Sequence, residues 1–204
     1  MFYSKWEILL LQVKQKTLLK RSRFALLEVL STSFQPSSIS VLDARSFVVG
    51  TLEDFQHARI VDIEGHESTF QGVTFPDKTY AWLGLSTCTY IQDNNTLVVS
   101  DFMNDIVYLQ NTTTGSCIEV KDSRIQKPGG VCPGPHGIVL VCCCSNNSVV
   151  KITGSGEILG SVHVDINIPR AIAVSQNGES LVVAGEGGIF YDFHDAGELL
   201  SEKY

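Results

Sequence analysis

An all-β fold, a β-propeller segment of about four blades behind a short N-terminal helix, is what this 204-residue sequence predicts. Three observations carry the prediction. The first is a repeat. "PSSISVLDARSFVVG" from Pro36, "STCTYIQDNNTLVVS" from Ser86, "PGGVCPGPHGIVLVC" from Pro128 and "PRAIAVSQNGESLVVA" from Pro169 each give an apolar strand, a polar turn and a second apolar strand, at offsets of 50, 42 and 41 residues. The second is an independent landmark in the same register. The turn glycines Gly65, Gly115, Gly156 and Gly197 fall 50, 41 and 41 residues apart. The third is punctuation. β-Branched residues and turn residues alternate every 6–10 positions, which leaves no room for 12-residue helices. A unit of about 41 residues with four short strands has the size of one propeller blade.

Taken in order, residues 1–33 stand apart from a repeat domain over 34–204. In "EILLLQVKQKTLLKRSRFALLEVL" the spacing of Leu11, Leu18 and Ala25, flanked by Leu19, Leu26 and Val29, predicts a basic amphipathic helix. The alternative reading makes "RFALLEVL" the outer strand of a preceding blade, closing the ring. The blades span 36–85, 86–127, 128–168 and 169–204. The first carries about eight extra residues, placed in loops such as "TLEDFQHARI" and "FPDKTYAWLG". The last shortens its middle loop to "GEGG".

Composition narrows the function classes. Hydrophobic residues make up 44% and charged residues 18%, a globular balance sufficient for one core. No apolar run reaches the roughly 18 residues that cross a bilayer. The N-terminus lacks a signal-peptide pattern, so the expected location is cytoplasmic, with six reduced cysteines. Asn94, Asn111 and Asn146 head N-x-[ST] triplets and read as turn residues. Residues 1–33 hold six Lys/Arg against two Glu, net +4, while the remainder holds nine basic and twenty acidic residues, net −11. A body that acidic disfavours nucleic acid as partner.

The repeat resembles the NHL family, whose pattern is roughly Pro-x-(Gly/Ala)-Ile-x-Val, a turn, then Ile-x-Val-x-Asp-x-x-Asn-x-x-Val. "LVVSDFMNDIVYL" supplies Val99, Asp101, Asn104 and Val107. "VLVCCCSNNSVVKI" supplies Val141, Asn146 and Val149, with Cys143 in place of the Asp. Pro36, Ile39, Val41, Pro169, Ile172 and Val174 match the first half. The tandem arrangement is similar to the C-terminal region of tripartite-motif proteins. That resemblance implies a propeller that recruits a protein substrate for a ubiquitin ligase. The zinc modules of such ligases are missing from these residues, since no C-x2-C pair has a second pair downstream. The family usually closes six blades. Four leave bare blade faces, which implies self-association through those edges or through the N-terminal helix.

No cofactor motif appears. H-E-x-x-H, G-x-S-x-G and phosphate-cradling glycine loops are all missing. Cys142 to Cys144 alternate sides on a strand and cannot converge on one metal, so they read as core thiols. Of His57, His66, His136, His163 and His194, only "EGHE" at Glu64–Glu67 looks like a ligand cluster, and it lies at a hairpin tip. A calcium-dependent propeller hydrolase or lyase would draw on Asp43, Asp93, Asp101 and Asn177. All four sit at turns, where side-chain capping explains them. Asp101 and Asn104 read as turn caps beside the structural glycines.

A protein-interaction module is the expected function, without catalysis in this chain. Loops Leu52–Gln56, Phe102–Asp105, Ser145–Ser148 and Glu186–Gly188 cluster on one propeller face with the blade connectors. The residues placed at the partner contact are Phe102, Met103, Asp105, Lys127, Asn146 and Arg170. RNA binding through the same face would rest on Arg124, Lys127 and Arg170 alone.

Overall fold

The computed structural model describes residues 6–15, 22–52, 54–77, 87–175, 178, 180–186 and 190–193. Two strands come first, β1 (Trp6–Gln15) and β2 (Ser22–Thr32). The first blade follows as β3 (Pro36–Val41), β4 (Ser46–Thr51), β5 (Ala58–Asp62) and the two-residue β6 (Glu67–Ser68). The second is β7 (Cys88–Ile91), β8 (Thr96–Asp101), β9 (Ile106–Asn111) and β10 (Cys117–Val120). The third is β11 (Pro128–Pro133), β12 (Val139–Cys143), β13 (Ser148–Ile152) and β14 (Ile158–His163). The fourth shows β15 (Pro169–Val174), β16 (Leu181–Gly185) and β17 (Phe190–Phe193). Every blade is an antiparallel meander in chain order.

The period-2 alternation of strands explains how blades stack. Successive residues of each second strand point to opposite neighbours. Val48 faces the second blade and packs with Cys88, Tyr90, Leu97 and Val99. Val98 faces the third and packs with Val131, Val139 and Val141. Leu140 faces the fourth and packs with Leu181 and Val183. The residue after each of these faces backwards. Val49 packs with Leu30 and Phe34, Val99 and Val141 join the cluster of the preceding interface, and Val183 does the same in β16. The core therefore lies in layers between blades, with Leu97, Leu140 and Leu181 fully buried. Burying each such side chain is worth about 1.5–3 kcal/mol.

Turn chemistry follows the same register. Gly65, Gly115 and Gly156 have φ of 84°, 74° and 87°, the left-handed region that glycine enters without penalty. A side-chain acceptor braces each of these hairpins. Asp62 Oδ1 accepts the Glu64 and His66 amides, Asn111 Oδ1 the Thr113 and Thr114 amides, and Thr153 Oγ1 the Glu157 amide. The inner strands β3, β11 and β15 each begin with proline followed by a bulge, between Pro36 and Ser38, Pro128 and Val131, and Pro169 and Ala171. Gly197 lies outside the described residues.

The N-terminal helix expected from the sequence is corrected. Residues 6–32 instead contain the antiparallel pair β1–β2, paired from Trp6–Thr32 to Gln15–Ser22 with a register shift between Leu10 and Leu11. The physical reason is the backward face of the first blade. Val49 and Val61 need cover, and Leu30 and Phe34 at the end of the hairpin supply it. β2 contains "RFALLEVL", the segment that the alternative reading made a strand. That cover is partial. Ile39 and Val41 are 46% and 54% exposed, whereas their counterparts Cys88 and Tyr90 on β7 are 5% and 7% exposed. Among the described residues no helix is long and apolar enough to cross a membrane.

Candidate functional site

The loops joining second to third strands are built by short side-chain caps. Asp101, fully buried at the end of β8, accepts the amides of Met103 and Asn104 at 3.1 and 3.2 Å through Oδ1. Its Oδ2 accepts from Asn104 Nδ2 at 2.9 Å. This cage holds Phe102 and Met103 at the tip, with Met103 44% exposed. Cys143 takes the equivalent place in the third blade. There Asn146 donates its amide to the Cys143 carbonyl and its Nδ2 to the Arg124 carbonyl.

A second device latches each of these loops to the next blade. Asp105 and Asn147 adopt left-handed φ of 59° and 46°. Their side-chain oxygens accept the amides of Lys127 at 2.7 Å and Ile168 at 3.0 Å. Lys127 and Ile168 immediately precede the blade-entry prolines and are themselves left-handed, at 50° and 49°. Such a conformation costs a non-glycine residue about 1–3 kcal/mol, more for β-branched Ile168. The latches offset that cost and fix where the connectors enter the face.

The latched loops border an open cleft of about 370 Å³. Phe102 contributes from the second blade, Cys144, Ser145 and Asn147 from the third, and Lys127, Asn167, Ile168 and Arg170 from the connectors and fourth-blade entry. Lys127 Nζ lies 5.4 Å from the Phe102 ring centroid, a cation–π arrangement. Arg170 pairs with Glu186 through Nη2 at 2.8 Å, both side chains about half exposed.

Three of the sequence-selected contact residues, Phe102, Lys127 and Arg170, therefore meet in one cleft. Met103 is exposed at the same turn. Asp105 and Asn146 spend their side chains on backbone groups and hold the loops. Ser145 and Asn147 fall in the loop Ser145–Ser148 that the sequence placed on this face, and Cys144 reads there as a core thiol. Asn167 and Ile168 escaped the sequence reading.

No family model and no curated protein matches the sequence. Solved structures do match the fold. Hydrazine synthase from Kuenenia stuttgartiensis superposes with a TM-score of 0.56 at 20% identity, over 78% of this chain and 46% of that one. Virginiamycin B lyase from Staphylococcus aureus gives 0.55 at 16% identity, over 78% and 55%. A streptogramin B lyase gives 0.54 at 16% identity, over 84% and 58%. The chain thus spans about half the length of the structures it resembles. The fold is a partial β-propeller.

Other chemistry on this propeller is dispersed. Asp43 braces the β3–β4 turn through the Arg45 amide at 2.8 Å. Asp93 lies in the β7–β8 turn, while Asp101 is buried at the opposite end of β8. These three do not converge, and Asn177 lies outside the described residues. Asp62, Glu64 and His66 form the one cluster of three metal-type ligands among the described residues. It sits at the hairpin tip and is already occupied internally, His66 by Asp62 at 2.9 Å and Glu64 by Arg45. Burial alone would raise the Asp62 carboxyl, but hydrogen bonds from His66 and the Glu64 amide hold it below its ordinary value. The hydrogen bond and charge of Asp62 raise the His66 imidazole. His57 is buried, its Nε2 2.9 Å from the Pro76 carbonyl and its ring against Phe75 and Tyr108. His136 and His163 are exposed, and His194 lies outside the described residues. Arg124 forks onto Asp122 at 2.8 and 3.0 Å, which holds that carboxyl at about 2.

The cysteines are core. Cys142 packs between the third and fourth blades and Cys143 between the second and third. Cys144 donates to the Pro169 carbonyl at 3.0 Å. Burial pushes the Cys132 and Cys143 thiols up to about 12, and Cys142 and Cys144 upward as well. All six thiols are free, and five, counting Cys88, are buried. Thiolate is the reactive form, so an aromatic disulfide reagent is expected to modify only exposed Cys117 in the native state and all six on unfolding. Rapid native modification of several thiols would contradict this burial.

Proposed function

We propose that this chain is a non-enzymatic protein-interaction module. In this reading it works like the substrate-recruiting propeller of a tripartite-motif ubiquitin ligase, in the cytoplasm, without cofactor. The carrying observation is the latched cleft, where Phe102, Lys127 and Arg170 from separate segments converge beside exposed Met103. Rigidly held aromatic and basic anchors on a loop face are what protein recognition uses. Nucleic acid is disfavoured because Arg124 and Arg170 are each paired with a carboxylate. The competing class is a calcium-dependent hydrolase or lyase, since two of the structural neighbours are lyases.

The test is capture of binding proteins by the purified chain with EDTA present. The double variant Phe102→Ser, Met103→Ser is expected to reduce capture at least about tenfold, as loss of two interface anchors does. Capture that needs calcium, or a calcium-induced rise in Tm, would favour the lyase class instead. Capture indifferent to the double substitution would remove this face from the function.

A further inference from the structure

We propose that the cleft takes a carboxylate, the Asp or Glu side chain of a partner peptide, between the Lys127 ammonium and the Arg170 guanidinium. This rests on the interaction-face reading above and names its chemistry.

Charge within the cleft is the first argument. Its lining holds two cations and no carboxylate. That is unusual placement on a body of twenty acidic and nine basic residues. The Lys127 ammonium rests on the Phe102 ring and forms no ion pair with any described acid. Arg170 engages Glu186 through Nη2, and its fork carries further donors.

Preorganisation is the second. The Lys127 backbone is pinned by the Asp105 carboxylate at 2.7 Å and by the left-handed bend before Pro128. The Ile168–Pro169 entry that carries Arg170 is pinned by Asn147 in the same way. Both cation-bearing residues thus line one cleft from fixed backbone, which lowers the ordering cost of binding.

Size and flanking charge select the ligand class. A space of about 370 Å³ lies at the small end of ligand sites and suits a side chain. Glu186 offsets one of the two positive charges, so the cleft keeps one net positive charge, the complement of a single carboxylate.

Arrays of capped random hexapeptides with central Glu, Gln, Lys or phosphoserine test this on the full chain. Glu peptides are expected to bind at least about tenfold tighter than Gln peptides, and to weaken as salt rises. Lys127→Gln and Arg170→Gln should each remove that preference while Tm is unchanged. Preference for phosphoserine, or equal binding of Glu and Gln peptides, would overturn the carboxylate assignment and leave the interaction face standing. So would an array without binders when Phe102- and Met103-dependent capture of proteins persists. Loss of that capture as well would sink both readings.

Discussion

Asp101→Ala is expected to destabilise the protein by about 3 kcal/mol, with a fall in the urea midpoint and an unchanged denaturant slope. The carboxylate is fully buried and accepts three hydrogen bonds, from the Met103 and Asn104 amides and from Asn104 Nδ2. Truncation leaves those donors without their partner, and a buried donor abandoned this way costs about 1–3 kcal/mol. The cost does not simply add, because the turn relaxes toward water. Asp101→Asn keeps one carbonyl oxygen for the two amides and should lose about 1 kcal/mol. A Asp101→Ala variant as stable as the parent would mean that the latch alone holds the loop. The third blade suggests how such a loop survives, since Cys143 stands in the same register and Asn147 still bonds the Ile168 amide.

The blades were legible because their signals are local. A glycine at φ near +80° has few substitutes, so Gly65, Gly115 and Gly156 mark the period in the sequence itself. The short apolar runs "FVV", "LVV" and "VLV" mark second strands buried on both faces. The N-terminal segment misled for the opposite reason. Leu, Glu, Gln and Lys are good helix formers, and the apolar run in "EILLLQV" has no sharp period. What decides it is long-range, the need of Val49 and Val61 for cover from Leu30 and Phe34. The cleft was half legible. Phe102, Lys127 and Arg170 stand out as large side chains in loops. The roles of Asp105 and Asn147 depend on backbone amides 22 and 21 residues downstream, a distance no local pattern spans.

The same long-range geometry makes Gly130→Ala a severe single-methyl change. Gly130 lies in the bulge at the start of β11, where inner strands of adjacent blades approach most closely. A Cβ there would meet the Arg170 carbonyl oxygen at 2.6 Å and the Ala171 Cα at 2.8 Å. Both are backbone atoms of the fourth blade, so no rotamer change relieves the contact. Overpacking typically costs about 1–3 kcal/mol, and a rigid backbone partner puts this case at about 3. Gly160→Ala is the control, because its nearest neighbour is the end of Lys151 at 4.0 Å. That variant should stay within about 0.5 kcal/mol of the parent. The consequence reaches function through Arg170 itself. If the fourth blade yields by tilting outward, Arg170 leaves Lys127 and the cleft opens. Carboxylate-peptide binding should then fall in Gly130→Ala even under conditions where the protein remains folded. Full binding by a destabilised variant would show instead that the strain is absorbed within β11, away from the cleft.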